Sequence, residues 1–311
     1  MIKQFRHKEI TWIDVTSPTK EELAQLSKDY NIHSLVENEA SSPSVKSRVD
    51  LYEDYLYLIL HFPECKTCIG DYKKYQAQET IREIDFILSK NFLITIHYES
   101  IQVLEEFSEI FEATFSKSNL RKNPHAGFLF FQILIQIYRS LDVDLNSITT
   151  ELQKAQNNIF NGKEKEMIKV LANINEDLLD FSWALKGHDK ILKSLSASLD
   201  TLFPDEFKVH NRSLRDTYWR IYGTVVNLRE FFTELRTTND SLLTIKTNDI
   251  IKTLTIMAFV TFPLSVLTST FSMNTISTPI IGNTHDFWLI ITIMAVAVAL
   301  MFIYFKHKRW I

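Results

Sequence analysis

Two long stretches without a formal charge lie at the C-terminal end of the chain, and they constrain it more than any other feature. No charged side chain occurs from Thr253 to Thr284, and a second uncharged run extends from Phe287 to Phe305. A bilayer core about 30 Å thick needs about 20 residues of helix, with roughly 17 to 25 tolerated. Residues 253–272 and 287–305 meet that length and are expected to be transmembrane helices. The connection, residues 273–286, is too short to hold a domain, so the two spans are expected to lie antiparallel as a helical hairpin.

Basic residues orient the hairpin. Lys246 and Lys252 precede the first span, and Lys306, Lys308 and Arg309 follow the second, while the connecting loop has no Lys or Arg. The positive-inside rule then places both termini in the cytoplasm, with the loop outside and Trp288 and Trp310 at the two interfaces of the second span. The N-terminal residues Met1-Ile2-Lys3-Gln4-Phe5-Arg6 lack an apolar core, so no secretory signal is expected. The reading is a multi-pass protein of the inner or plasma membrane, partnered by membrane lipid, with residues 306–311 as a basic cytosolic tail. The net charge of -4 and the lack of a basic stripe interleaved with aromatics argue against a nucleic-acid partner. Cys65 and Cys68 form one Cys-x-x-Cys; a structural zinc site wants four ligands and no second pair follows, so a reduced pair in a loop is expected.

Residues 1–124 read as a cytosolic α/β domain. Trp12-Ile13-Asp14-Val15 has strand character, and Ser17 then offers a helix N-cap with Pro18 at the first helical position and Leu23, Leu26 and Tyr30 on one face. The apolar run Tyr55–Phe62 has strand length. Ile84–Leu88 and Phe92–His97 form two further strands joined by the turn-forming Ser89-Lys90-Asn91. His61 and His97 end apolar strands, where a hydrogen-bonded core or rim histidine is the expectation rather than a ligand.

Long helices follow. Leu134, Tyr138, Leu141, Leu145, Ile148 and Leu152 step by four and three, as do Leu171, Ile174, Leu178, Phe181 and Leu185 after Asn161-Gly162. Residues 125–204 are therefore expected to be an antiparallel pair of helices of about 35 residues each, ended by Pro204. Residues 205–252 form a stalk helix whose stripe Leu214, Tyr218, Ile221, Val225, Leu228, Phe232 and Leu235 runs toward the membrane. In the first span, Ile251, Leu254, Ala258, Phe262, Ser265, Ser269 and Ser272 recur every three or four residues and share one side. That side is apolar at the cytoplasmic end and small and hydroxylated at the outer end, which suits either helix contact through small residues or a water-accessible path.

The passage Asn248-Asp249-Ile250-Ile251-Lys252-Thr253-Leu254-Thr255-Ile256, then Pro263-Leu264, then Ser272-Met273-Asn274, and the ending Tyr304–Ile311 resemble the CorA family of divalent-cation channels. Trp12–Val15 with Pro18-Thr19, Glu53–Leu58, and Ile84–Leu88 before Lys90–Leu93 are similar to that family's soluble domain, so the likeness covers essentially the whole chain. It implies a homopentamer whose first spans ring a central pore, with α/β domains forming a cytosolic funnel that is closed while divalent ions occupy sites between subunits. Asn248 then marks the inner mouth. Ile251, Leu254, Ala258 and Phe262 form the apolar gate, and Ser265, Ser269, Ser272, Met273 and Asn274 the polar outer pore and filter. Mg2+ dehydrates reluctantly, so neutral oxygens such as the Asn274 amide, repeated around a ring, suit the hydrated ion.

Three departures from the family's pattern bear on selectivity and regulation. The family's Gly-Met-Asn signature is Ser272-Met273-Asn274 here, and Asp286 is the only acid between Met273 and Phe287, which implies weakened or altered selectivity. The stretch Arg215-Asp216-Thr217-Tyr218 resembles the family's regulatory segment, but Trp219 stands where a second acid is usual, leaving Asp216 as the metal-sensing candidate. The resemblance thus implies passage of Mg2+, with Co2+ or Ni2+ as further cargo, Mg2+ also acting as the regulatory ion, and no cofactor. Two other readings are zinc transport as in the ZntB-like branch and a non-conducting membrane-anchored scaffold. An enzyme is not expected, because the chain has no Gly-rich phosphate loop, nucleophile motif or paired His-Glu metal spacing.

Overall fold

The computed structural model describes residues 1–66, 81–117, 125–203, 208–273, 285–308 and 310, which form two compact units, Met1–Arg236 and Thr237–Ile311. In the first unit, the strands β1 (Ile2–His7), β2 (Ile10–Thr16), β3 (Arg48–Leu51), β4 (Leu56–Pro63), β5 (Ile81–Leu88) and β6 (Phe92–His97) make one sheet in the order β1-β2-β6-β5-β4-β3. The β2–β6 pair is parallel and the others are antiparallel. β4 is a nearly continuous apolar run because both faces of the sheet are covered. Tyr57 and Ile59 join Ile13, Val15, Ile94 and Ile96 in a core with Leu23, Leu26 and Val36 from α1 (Lys20–Asp29) and α2 (Ser34–Glu39). On the opposite face Trp12 meets Phe107 of α3 (Gln102–Lys117) edge-on at 5.7 Å, and Phe86 meets Phe130 of α4 (Ala126–Phe160) at 5.3 Å.

The start of α1 departs from the sequence expectation. Its N-cap is Thr19, whose hydroxyl accepts from the Glu22 amide at 3.2 Å while the Glu22 carboxylate accepts from the Thr19 amide at 2.9 Å. This capping box satisfies two otherwise unpaired donors. Ser17 instead sits at φ 46°, with its amide donating to the His97 carbonyl at 2.8 Å and its hydroxyl to the Tyr98 carbonyl. Hydrogen bonding to the end of β6, rather than capping, occupies that serine.

The apolar stripes read on the helices ahead of the first span are buried: Leu134 to Leu152 on α4, Leu171 to Leu185 on α5 (Glu164–Lys186), and Leu214 to Leu235 on α7 (Lys208–Phe271). The second member of the expected pair is two helices, since α5 stops at Gly187 and α6 (His188–Leu202) begins directly after it. Gly is a poor helix former, which suits a break at that position. His188 is fully buried there, its Nδ1 2.7 Å from the Tyr138 hydroxyl and its ring edge-on to Phe62, and burial pulls its pKa down to about 3. Cys65 is disulfide-bonded rather than reduced, and Cys68 lies outside the described residues. The expectation rested on compartment alone, which says nothing about the geometry of a particular pair. The expected break at Pro204 also falls outside the described residues.

Candidate functional site

The second unit carries the hairpin. α7 continues without interruption through Pro263 to Phe271, and α8 runs from Asp286 to His307. By length and composition three described helices could cross a bilayer: α4, α7 and α8. Burial separates them, because 61% of the apolar window of α4 lies inside the structure and none of that of α7 or α8 does. Among the described residues, two long helices with apolar windows left on the outside suit a lipid solvent.

Asn248, Ile251, Leu254, Ala258, Phe262, Ser265 and Ser269 all fall in this helix at a spacing that keeps them on one face, and all are exposed. Leu254 is 66% and Phe262 72% accessible, unlike the core stripe on the first half of the helix. The Ser265 hydroxyl donates to the Thr261 carbonyl at 3.0 Å, and Thr255, Thr261, Thr268 and Thr270 make the same four-residue return. Such bonds satisfy the hydroxyl proton and leave oxygen lone pairs to face outward. Ser272 follows the helix in a turn, with its amide shared between the Thr268 and Ser269 carbonyls at 3.0 and 3.2 Å, and Met273 is exposed. Asn274, the predicted filter residue, lies outside the described residues. Asp216 belongs to the first unit; its side chain is 73% exposed, 3.9 Å from Arg212.

The first unit also holds acids that pattern reading passed over. Asp14 is buried between the Thr95 hydroxyl, donating at 2.6 Å, and His97 Nε2 at 3.2 Å, while the Trp12 indole donates to Thr95. Glu83 accepts from the Ser44 amide at 2.7 Å and sits 3.0 Å from His61, so both histidines are indeed satisfied core or rim residues. Burial, and next the Glu83 charge, hold Asp85 well above the ordinary carboxylate range, although the Tyr57 hydroxyl donates to it at 2.8 Å. Asp144 of α4 is pushed up to about 6 by burial and by Glu64 and Asp177, against Arg82. Acids inside otherwise apolar strand and helix patterns were the available signal. Among the described residues no group of three or more His, Cys, Asp or Glu side chains is placed to hold a metal ion.

An α/β domain followed by long helices and an unpartnered apolar hairpin, with amide and hydroxyl groups along one face of its first helix, defines a class of membrane transport protein. Residues 7–307 match the family described as CorA-like Mg2+ transporter protein, and the chain belongs to that family. Among curated relatives, the cobalt/magnesium transport protein CorA of Thermotoga maritima is 22% identical over 302 residues, covering 97% of this chain and 83% of the relative. The cobalt/magnesium transport protein CorA of Methanocaldococcus jannaschii is 24% identical over 310 residues, covering 99% and 93%. A solved structure, the complete structure of the CorA magnesium transporter from Methanocaldococcus jannaschii, has the same fold with a TM-score of 0.79 at 23% identity, covering 99% of this chain and 93% of that one. The family is one of metal-ion transporters, and it indicates no catalytic activity.

Proposed function

We propose that this protein is a CorA-type channel for Mg2+, with Co2+ or Ni2+ as further cargo, working as a homopentamer in the inner or plasma membrane with both termini cytoplasmic. The observation that carries the reading is the unbroken face of α7, in which the amide of Asn248, the apolar side chains at 251, 254, 258 and 262, and the hydroxyls at 265 and 269 follow one another with no acid among them. Several copies of such a face around an axis give a wet mouth, a dry constriction and a wet outer section. Narrow apolar rings stop ions by dewetting, which assigns Ile251, Leu254, Ala258 and Phe262 to the gate. Neutral oxygens suit an ion that keeps its waters, which assigns Ser272, Met273 and Asn274 to the filter. Mg2+ then acts as both cargo and regulator. The open position of Asp216 leaves it available to a cytosolic ion, and no separate cofactor is required.

The relatives from Thermotoga maritima and Methanocaldococcus jannaschii are named for cobalt and magnesium, which favours Mg2+ over the zinc transport of the ZntB-like branch. Native mass measurement of the full chain in mild detergent, together with metal influx into reconstituted vesicles, tests the reading. Pentamers that take up Mg2+ support it; uptake of Zn2+ without Mg2+ transfers the protein to the zinc branch. Oligomers that carry neither ion make it a scaffold, and a monomer removes the pore altogether.

A further inference from the structure

At the end of the hairpin that carries the basic tail, the second unit contains a cavity of about 330 Å3 lined by Phe259 and Pro263 of α7 and by Met301, Tyr304, Phe305, Lys308 and Trp310. The size falls within the range of about 300 to 1,000 Å3 typical of small-molecule sites. The C-terminal end of α8 forms one side of this cavity. The Lys308 amide donates to the Tyr304 carbonyl at 3.0 Å and the Trp310 amide to the Phe305 carbonyl at 2.9 Å. The Trp310 ring thereby stacks on Phe305, with centroids 5.9 Å apart and planes 14° apart, and Phe305 becomes the one residue of α8 that is buried among those described. This bond and ring contact close the helix in the Schellman manner, and the residue that closes it here is an indole. Trp310 belongs at an interface, with an apolar ring face and a polar N–H edge.

The walls are aromatic and aliphatic, and the only formal charge among the described lining residues is the Lys308 ammonium. No acid among them neutralises it. We propose that this cavity is a binding site for one anionic phospholipid of the bilayer, with an acyl chain against Phe259, Pro263, Met301 and Phe305 and the phosphate at Lys308. Charge complementarity selects the occupant: a long cationic side chain at a membrane interface directs its head toward the phosphate layer while its stem covers apolar surface. A basic residue near such a surface favours anionic lipid by about 1 kcal/mol, roughly a fivefold preference at room temperature. The inference rests on α7 and α8 crossing a bilayer and is independent of which ion is carried.

Native mass spectrometry of the full chain in detergent, titrated with phosphatidylglycerol or phosphatidylcholine of identical acyl chains, tests it without any reading of ion flux. The wild type should bind the anionic lipid about fivefold more tightly. Lys308→Gln should abolish that preference, whereas Lys306→Gln, close in sequence but outside the cavity, should keep it. Trp310→Ala should weaken both lipids alike by opening the wall. Equal affinity of the wild type for the two lipids overturns the proposal, as it would if a second copy of the chain filled the cavity. Equal losses in Lys306→Gln and Lys308→Gln overturn it as well, since they would reduce the effect to general surface charge.

Discussion

Replacing Asp144 by Asn should stabilise the protein near neutral pH and leave it unchanged in acid. The side chain borders a cavity of about 400 Å3 shared with Glu64, Arg82 and Glu106, and its carboxyl is pushed from the ordinary 3.8 up to about 6, first by burial and then by Glu64 and Asp177. An acid whose folded pKa exceeds its unfolded value binds the proton more tightly in the native state, so stability is full below the unfolded pKa and declines as pH rises through the folded one. The gap between 3.8 and about 6 corresponds to about 3 kcal/mol, and screening through the partly open side of the cavity reduces this to about 2 kcal/mol. Asn keeps the shape of the neutral acid and does not titrate. Denaturant unfolding of the full chain in detergent, followed by circular dichroism at several pH values between about 4 and 7.5, gives the difference between wild type and variant, in which most other titrations cancel. The two should coincide near pH 4, and the Asp144→Asn variant should lead by about 2 kcal/mol at about pH 7.5. Parallel curves, or a variant less stable than the wild type at the upper end of that range, would refute the reasoning by showing that the ionised carboxylate is well accommodated.

Two further expectations concern the membrane unit. Replacing Leu254 or Phe262 by Ser should wet the apolar segment of the proposed pore, raising basal Mg2+ influx into vesicles and making it less sensitive to internal Mg2+; unchanged influx in both variants would place the constriction elsewhere. Asn274→Ala should abolish Mg2+ influx, Asn274→Asp should bind divalent ions more tightly and pass them more slowly, and Ser272→Gly should keep or increase flux. Equal flux in the wild type, Ser272→Gly and Asn274→Ala would show that the Ser-Met-Asn segment is not the filter. A silent wild type with an active Ser272→Gly would mean that the serine has diverted the protein to another ion.

Local pattern was enough for the features in which a single helix or strand decides its own burial. The helical stripes through Leu145, Phe181 and Ile221 could be read directly, because a period near 3.6 names the face to be buried whatever the partner is. The uncharged runs likewise announced α7 and α8, since a bilayer acts on length and polarity alone. The ends of the sheet were not legible in the same way: β1 and β3 are largely exposed or half-buried edge strands, without the alternation that marks a core strand. Only the tertiary structure chose Thr19 over Ser17 as the cap, because the competing partner of the Ser17 hydroxyl, the Tyr98 carbonyl just past β6, is 81 residues away in sequence. The same holds for Asp14, Glu83, Asp85 and Asp144. Whether an acid is solvated, paired or held neutral depends on neighbours brought by other elements, and the free energy of burying a charge is set by that assembled surrounding rather than by the residue's own stretch of chain.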